Sequence, residues 1–107
     1  MQHVTNDHEP LTVSPHYMGV AADLPARLIR SYGLAKDAIY RILNSFFGSG
    51  ALTADEAGFL HGHALMSALH ERGLIRYDAK FSVEHGRLIE RFRDIFDLLV
   101  RAAKTAI

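Results

Sequence analysis

Residues 82–103 read SVEHGRLIERFRDIFDLLVRAA, and this stretch decides the fold class. Ser82 is a suitable N-cap, because its hydroxyl can accept a backbone N–H of the first helical turn. Behind it, apolar residues recur every three or four positions, which places them on one face of an α-helix. They are Leu88, Ile89, Phe92, Ile95, Phe96, Leu99, Val100 and Ala103. The opposite face is charged, so we predict one long amphipathic helix that begins after Ser82.

A second helix is predicted upstream by the sequence Thr53-Ala-Asp-Glu56. In this capping-box pattern the Thr hydroxyl and the Glu carboxylate each accept a backbone N–H at the helix start. The helix should end at Gly73, since glycine is favoured just past a helix C-terminus. Gly58 and Gly62 lie inside it, and each costs about 1 kcal/mol relative to alanine. We therefore expect either a close helix crossing at these glycines or a turn near Gly62.

A first helix is indicated between Asp23, a suitable N-cap, and the GSG sequence at residues 48–50. Pro25 is compatible with a first helical turn, and apolar residues follow at helical spacing. Gly33 lies in the middle of this pattern. Because glycine is a poor helix former, a break into two helices at residues 32–34 is an alternative to one continuous helix.

Together these elements predict an all-α fold, a small bundle of three or four helices. Residues 74–83 contain two strand-like pieces, so a short two-stranded wing is an alternative there to a plain loop. Residues 23–107 form a single helical domain in this prediction. Residues 1–22 carry two prolines and no helical period, and we expect them to be an extended or partly disordered N-terminal arm.

The composition describes one small domain without a dominant charge. The chain of 107 residues has 12 Lys and Arg, 12 Asp and Glu, and no Cys. The lack of Cys excludes disulfides, thiolate zinc sites and thiol nucleophiles. The charge balance argues against a protein that coats nucleic acid or an anionic membrane surface, because such binding needs an excess of Lys and Arg. The short apolar runs and the lack of a secretory signal pattern predict a cytoplasmic protein, which we take to be bacterial.

The histidines are the first residues to consider for chemistry, because imidazole is the commonest acid, base and metal ligand near neutral pH. His61 and His63 diverge on a helix, and His70 lies about 10 Å along the axis from His63, too far to share one zinc ion. No GxSxG or phosphate-loop pattern accompanies them. We therefore predict no metal, no cofactor and no enzymatic activity. We expect His63 and His70 to be partly buried, with pKa values lowered by burial.

Protein binding is the leading functional hypothesis. The long amphipathic helices have apolar faces wider than one helix hairpin can cover, so an intramolecular bundle or a second copy must cover them. We expect a homodimeric, non-catalytic adaptor, chaperone or inhibitor. Its partner surface is predicted at Tyr40, Arg87 and Arg91, together with His63 and His70.

A winged-helix DNA-binding regulator is the alternative hypothesis. Residues 53–89 can be divided into a short helix, a turn at residues 61–63, a recognition helix and a wing. The Leu-x-x-x-Gly-Leu-Ile sequence at residues 69–75 resembles the segment after the recognition helix in bacterial winged-helix regulators. The resemblance implies DNA contacts from His63, Ser67, Arg72, Arg76 and Lys80. We do not favour it, because this helix offers few of the side chains that usually contact bases.

Overall fold

A computed structural model of the chain describes residues 11–13, 25–78 and 81–107, and for residues 11–13 and Phe47 the backbone only. These residues form four helices and two short strands. In chain order they are β1 (Leu11–Val13), α1 (Ala26–Ser49), α2 (Ala54–Glu71), β2 (Ile75–Tyr77), α3 (Val83–Arg91) and α4 (Arg93–Ala106). The predicted small helical bundle is confirmed. Apart from β1, the predicted arm over residues 1–22 lies outside the described residues.

The centre of the bundle is α2, which α1 and α4 cover while also packing against each other. Most of its side chains from the second turn onward are buried, so it has no polar face of the kind that a surface helix presents. Its buried residues are Ala57, Leu60, His61, Gly62, His63, Ala64, Leu65, Met66, Ala68 and Leu69. Leu28 and Ile39 of α1 and Leu99 of α4 complete the core.

The direction of α4 follows from two ion pairs at opposite ends of α2. Arg91, which precedes α4, lies 3.6 Å from Glu56 in the first turn of α2. Lys104 near the end of α4 lies 2.8 Å from Glu71 at the end of α2. The two helices therefore run parallel, and α1, joined to α2 by a short loop, runs antiparallel to both.

The first helix is continuous, and Gly33 does not break it. Tyr32 and Ala35, on either side of Gly33, are both buried. Their burial outweighs the helix cost of one glycine, which is about 1 kcal/mol. The helix ends before Gly50, whose φ of 76° is a conformation that glycine adopts without strain.

The predicted start of α2 is confirmed, but the predicted turn inside it is wrong. Thr53 Oγ1 accepts the Glu56 N–H at 3.2 Å, and Glu56 Oε1 accepts the Thr53 N–H at 2.9 Å. The helix then continues through Gly62, which is buried. Gly58 is exposed, and a Cβ added there would meet no atom within 4 Å, so no close helix crossing requires this glycine.

The last helix is two helices, which corrects the prediction of one. Ser82 caps α3 as expected, with its Oγ accepting the His85 N–H at 3.1 Å. At Phe92 the backbone departs from helical geometry, with φ −111° and ψ 30°. The Phe92 N–H still donates to Leu88 O, and the Phe96 N–H to Phe92 O. Because the backbone hydrogen bonds continue on both sides of Phe92, the departure from helical geometry is confined to this residue. The apolar residues of α3 and α4 therefore keep their helical spacing.

The β2 strand pairs with β1, in parallel, with Leu11 opposite Ile75 and Val13 opposite Tyr77. A parallel pair needs a long crossover connection, and here α1 and α2 lie between the two strands. The alternative of a wing within residues 74–83 is therefore wrong. Ser82 and Val83 begin a helix, and β2 takes its strand partner from the N-terminal segment.

Candidate functional site

The three histidines of α2 point to three different surroundings, as their spacing predicts. His61 faces α1, His63 lies beneath aromatic side chains near β2, and His70 is exposed and contacts β2. Within the described ranges, no three His, Asp or Glu side chains are placed to hold one metal ion.

His63 is only 3% exposed and is enclosed by aromatic rings. The ring centroids of Phe59 and Phe81 lie 4.3 and 4.7 Å from its own. Burial, and then the nearby His85, lower the pKa of His63 to about 4, while burial raises the pKa of Tyr77 to about 12. Both groups are therefore neutral at pH 7, and the Tyr77 hydroxyl and His63 Nδ1 form a hydrogen bond. This pair joins α2 to β2 inside the protein.

His70 has a structural role at β2, and the expectation that it is partly buried is wrong because the residue is exposed. Its Nδ1 accepts the Tyr77 backbone N–H at 3.2 Å and lies 3.3 Å from Ile75 O. A side chain of α2 thereby satisfies a backbone donor of a very short strand. An unpaired backbone N–H would cost free energy comparable to a lost hydrogen bond.

His61 belongs to a second cluster, between α2 and α1. Its ring stacks on Tyr40, with centroids 4.5 Å apart and planes 23° apart. Lys36 Nζ lies 5.8 Å from the ring centres of both Tyr32 and Tyr40. Burial, and then the charge of Lys36, lower the pKa of His61; burial, and then Tyr40, raise the pKa of Tyr32. Sequence reasoning identified only Tyr40, although Tyr32, Lys36 and Tyr40 recur at spacings of four.

Two buried polar atoms of this cluster have no hydrogen-bond partner among the described residues. They are the Tyr32 hydroxyl and His61 Nε2. Buried polar atoms in folded proteins nearly always have a partner, so two such atoms in one cluster are unusual.

The outer face of α1 beside this cluster is partly apolar. Ile29 is 58% exposed and Tyr40 is 45% exposed. With Gly33 and Lys36 they follow one line along the helix, at spacings of four, three and four residues. We name this line the α1 stripe, and it consists of Ile29, Gly33, Lys36 and Tyr40. Arg30 and Asp37 are exposed at its edge, and neither makes an ion pair with the part of the chain that the structure describes.

A second exposed surface lies at α3, where Arg87 and Arg91 were predicted to contact a partner. Val83 is 74% exposed, which makes it the most exposed large apolar side chain of the described residues. The Arg91 guanidinium lies over the Phe92 ring at 4.9 Å. We name this surface the α3 face, and it consists of Phe81, Val83, Arg87 and Arg91.

The residues of the DNA-binding alternative do not share one face. His63 is buried, and Ser67 is half-buried in a groove of about 340 Å³ between α2 and α4. The Arg72 guanidinium donates from Nε and Nη2 to Lys104 O at 3.1 and 2.8 Å, which caps the end of α4. Arg76 is exposed on β2, and Lys80 lies outside the described residues.

No protein-family model matches the chain, and neither a curated protein nor a solved structure is significantly similar to it. Among the described helices, none combines the length and the apolar character that crossing a bilayer requires.

Proposed function

We propose that the protein is a homodimeric, non-catalytic protein-binding module of the bacterial cytoplasm, which contacts its partner through the α3 face. One observation carries the proposal: exposed apolar side chains, Phe81 and Val83, lie on the same segment as two exposed arginines. Aromatic and arginine side chains are enriched at protein interfaces, where apolar anchors are surrounded by polar groups.

The α3 face is available because α3 contributes little to the core. Ile89 is its one buried residue, and its main helix contact is with α4. Val83 therefore does not stabilise the bundle through burial. A large apolar side chain left this exposed is more informative when it adjoins other apolar and arginine side chains than when it is isolated.

The charges of the α3 face indicate what kind of partner it fits. Arg91 lies 3.6 Å from Glu56, so its charge is already compensated within the protein. Arg87 is exposed and makes no ion pair within the described ranges. A partner segment with an apolar residue and a neighbouring carboxylate would satisfy both Val83 and Arg87.

Affinity capture with matched charge variants tests this proposal. Tagged wild-type protein should retain a partner that Arg87→Glu loses, because the reversed charge repels the partner carboxylate. Arg101→Glu is the control, since Arg101 is an exposed arginine of α4 away from the α3 face. Equal recovery of the same proteins by wild type and Arg87→Glu would remove the α3 face as the binding surface.

One observation favours the DNA-binding alternative: Arg76 is exposed on β2. Fluorescence anisotropy against random duplex DNA at low salt and at about 0.2 M salt separates the two hypotheses. Protein binding predicts flat titrations at both salt concentrations. Affinity that falls steeply with salt would instead favour DNA binding, because it reports the release of counterions from phosphates. In that case the Arg72, Arg76 and Lys80 triple alanine variant should reduce the salt dependence.

A further inference from the structure

We propose that the α1 stripe is the surface through which two copies of this chain dimerise, with the two α1 helices packed antiparallel. This inference rests on the proposed function in one respect, the homodimer, and it assigns the interface. It is independent of the α3 face, which lies on another helix.

The spacing of the α1 stripe is that of a helix-pairing seam. Positions separated by four, three and four residues repeat with the seven-residue period that lets two α-helices stay in contact. Ile29 and Tyr40 at its ends are exposed, so both are accessible to a second helix. At Gly33 an added Cβ would meet no atom within 4 Å, so the stripe has an open notch at its centre.

The stripe is complementary to itself when the second copy runs in the opposite direction. A twofold axis between positions 34 and 35 places Ile29 of each copy opposite Tyr40 of the other. The same axis places Lys36 of each copy opposite Gly33 of the other, so the long lysine stem occupies the notch. In an isologous interface, residue i of one copy contacts residue j of the other, and residue j of the first contacts residue i of the second. The pairs Ile29–Tyr40 and Gly33–Lys36 follow this rule.

The flanking charges agree with the same register. Arg30 and Asp37 lie at one edge of the stripe, and a twofold dimer brings like edges together. In this register Arg30 of one copy lies about 3 Å from Asp37 of the other, measured along the helix axis. The two side chains are long enough to bridge that offset. Each dimer would therefore gain two intermolecular ion pairs from groups that make no ion pair among the described residues.

The α1 stripe adjoins the cluster of Tyr32 and His61. Lys36 and Tyr40 belong to the stripe and also contact Tyr32 and His61, whose buried polar atoms have no partner among the described residues.

Sedimentation velocity of the full chain at about 0.1 mM tests the interface with a glycine pair. Wild type should sediment as a dimer. Gly33→Gln fills the notch and should shift the protein to a monomer, while Gly86→Gln should leave the dimer intact. Both glycines are helical, and an added Cβ meets no atom within 4 Å at either, so both variants should fold. A monomeric wild type, or a Gly33→Gln variant that remains a dimer, would overturn the proposal.

A charge exchange tests the register. Arg30→Glu alone and Asp37→Lys alone should each raise the dimer dissociation constant about tenfold, because each creates two like-charge contacts. The double variant should recover wild-type affinity, since it restores two ion pairs with reversed signs. A double variant weaker than both single variants would exclude this register.

Partner capture by Gly33→Gln separates the two proposals, because a monomer that still binds through Arg87 supports the α3 face alone.

Discussion

His63 shows how a single buried histidine links the stability of the protein to pH. Its imidazole is hydrogen-bonded to Tyr77 and surrounded by rings, so the fold contains it as a neutral group. Protonation would place a charge in that apolar environment, and the neighbouring His85 adds to the cost.

We expect the free energy of unfolding to fall as the pH decreases from about 6.5 to about 4. The unfolded chain binds a proton at His63 near its ordinary pKa of 6.5, whereas the folded protein binds it only near 4. The loss from this group is roughly 3 kcal/mol across that window and is absent above it. Urea unfolding at several pH values measures it. His63→Gln should flatten the dependence, leaving the smaller contribution of His61; an unchanged slope in this variant would assign the effect elsewhere.

The Tyr77→Phe variant removes the hydroxyl that is hydrogen-bonded to His63. Loss of the hydroxyl leaves His63 Nδ1 buried without this partner, which should cost about 1–2 kcal/mol of unfolding free energy at pH 7. The phenyl ring retains the packing of Tyr77, so the cost should come from the loss of the hydroxyl. Equilibrium urea unfolding provides the measurement, and a variant as stable as wild type would show that the pair contributes nothing.

At the scale of elements, α1 demonstrates that tertiary packing decides where a helix continues. Gly33 is tolerated because the residues on either side are buried, while the glycine itself faces open space. By contrast, Gly50 occupies a positive φ that ends the helix.

These two glycines should respond to alanine with opposite signs. Gly33→Ala should raise the free energy of unfolding by about 1 kcal/mol, because alanine is the better helix former and its Cβ meets no atom. Gly50→Ala should lower it by about 1 kcal/mol, because its φ of 76° strains a side chain. Thermal or urea unfolding of both variants checks the pair, at a concentration low enough to keep the protein monomeric. Effects of the same sign would contradict the account.

The elements that could be predicted from sequence are those specified by local chemistry. The caps at Thr53 and Ser82 have side-chain signals, and the apolar periods of the helices are unmistakable. The break at Phe92 has no such signal, because its neighbours keep both the hydrogen bonds and the apolar period. The pairing of β2 with β1 joins segments far apart in the chain, which no local pattern encodes. At the candidate sites, the expected exposure of Tyr40, Arg87 and Arg91 is observed, whereas the unsatisfied Tyr32 and His61 atoms are visible only in the three-dimensional structure.

At the scale of the whole molecule, the parallel strand pair fastens the N-terminal segment to the middle of the chain. The Tyr77 N–H and Ile75 O face His70, so in this register the backbone donor of Val13, not that of Thr12, faces β2. We expect Val13→Pro to weaken this attachment, because proline removes that donor and is poorly tolerated within paired strands. Amide hydrogen exchange should accelerate about tenfold or more at residues 75–77, which corresponds to a loss of about 1.4 kcal/mol of local stability. Exchange in α2 and α4 should be unaffected, and unchanged exchange at β2 would show that the pairing is dispensable.

The central position of α2 has a consequence for the time at which this protein acquires its core. An α2 helix that has just been synthesised has α1 beside it but not α4, so one side of a helix that is largely buried in the finished fold is still uncovered. Two helices joined as a hairpin cannot bury that side. During synthesis the bundle therefore closes only when α4 emerges from the ribosome, and until then α2 is the surface that a chaperone would recognise.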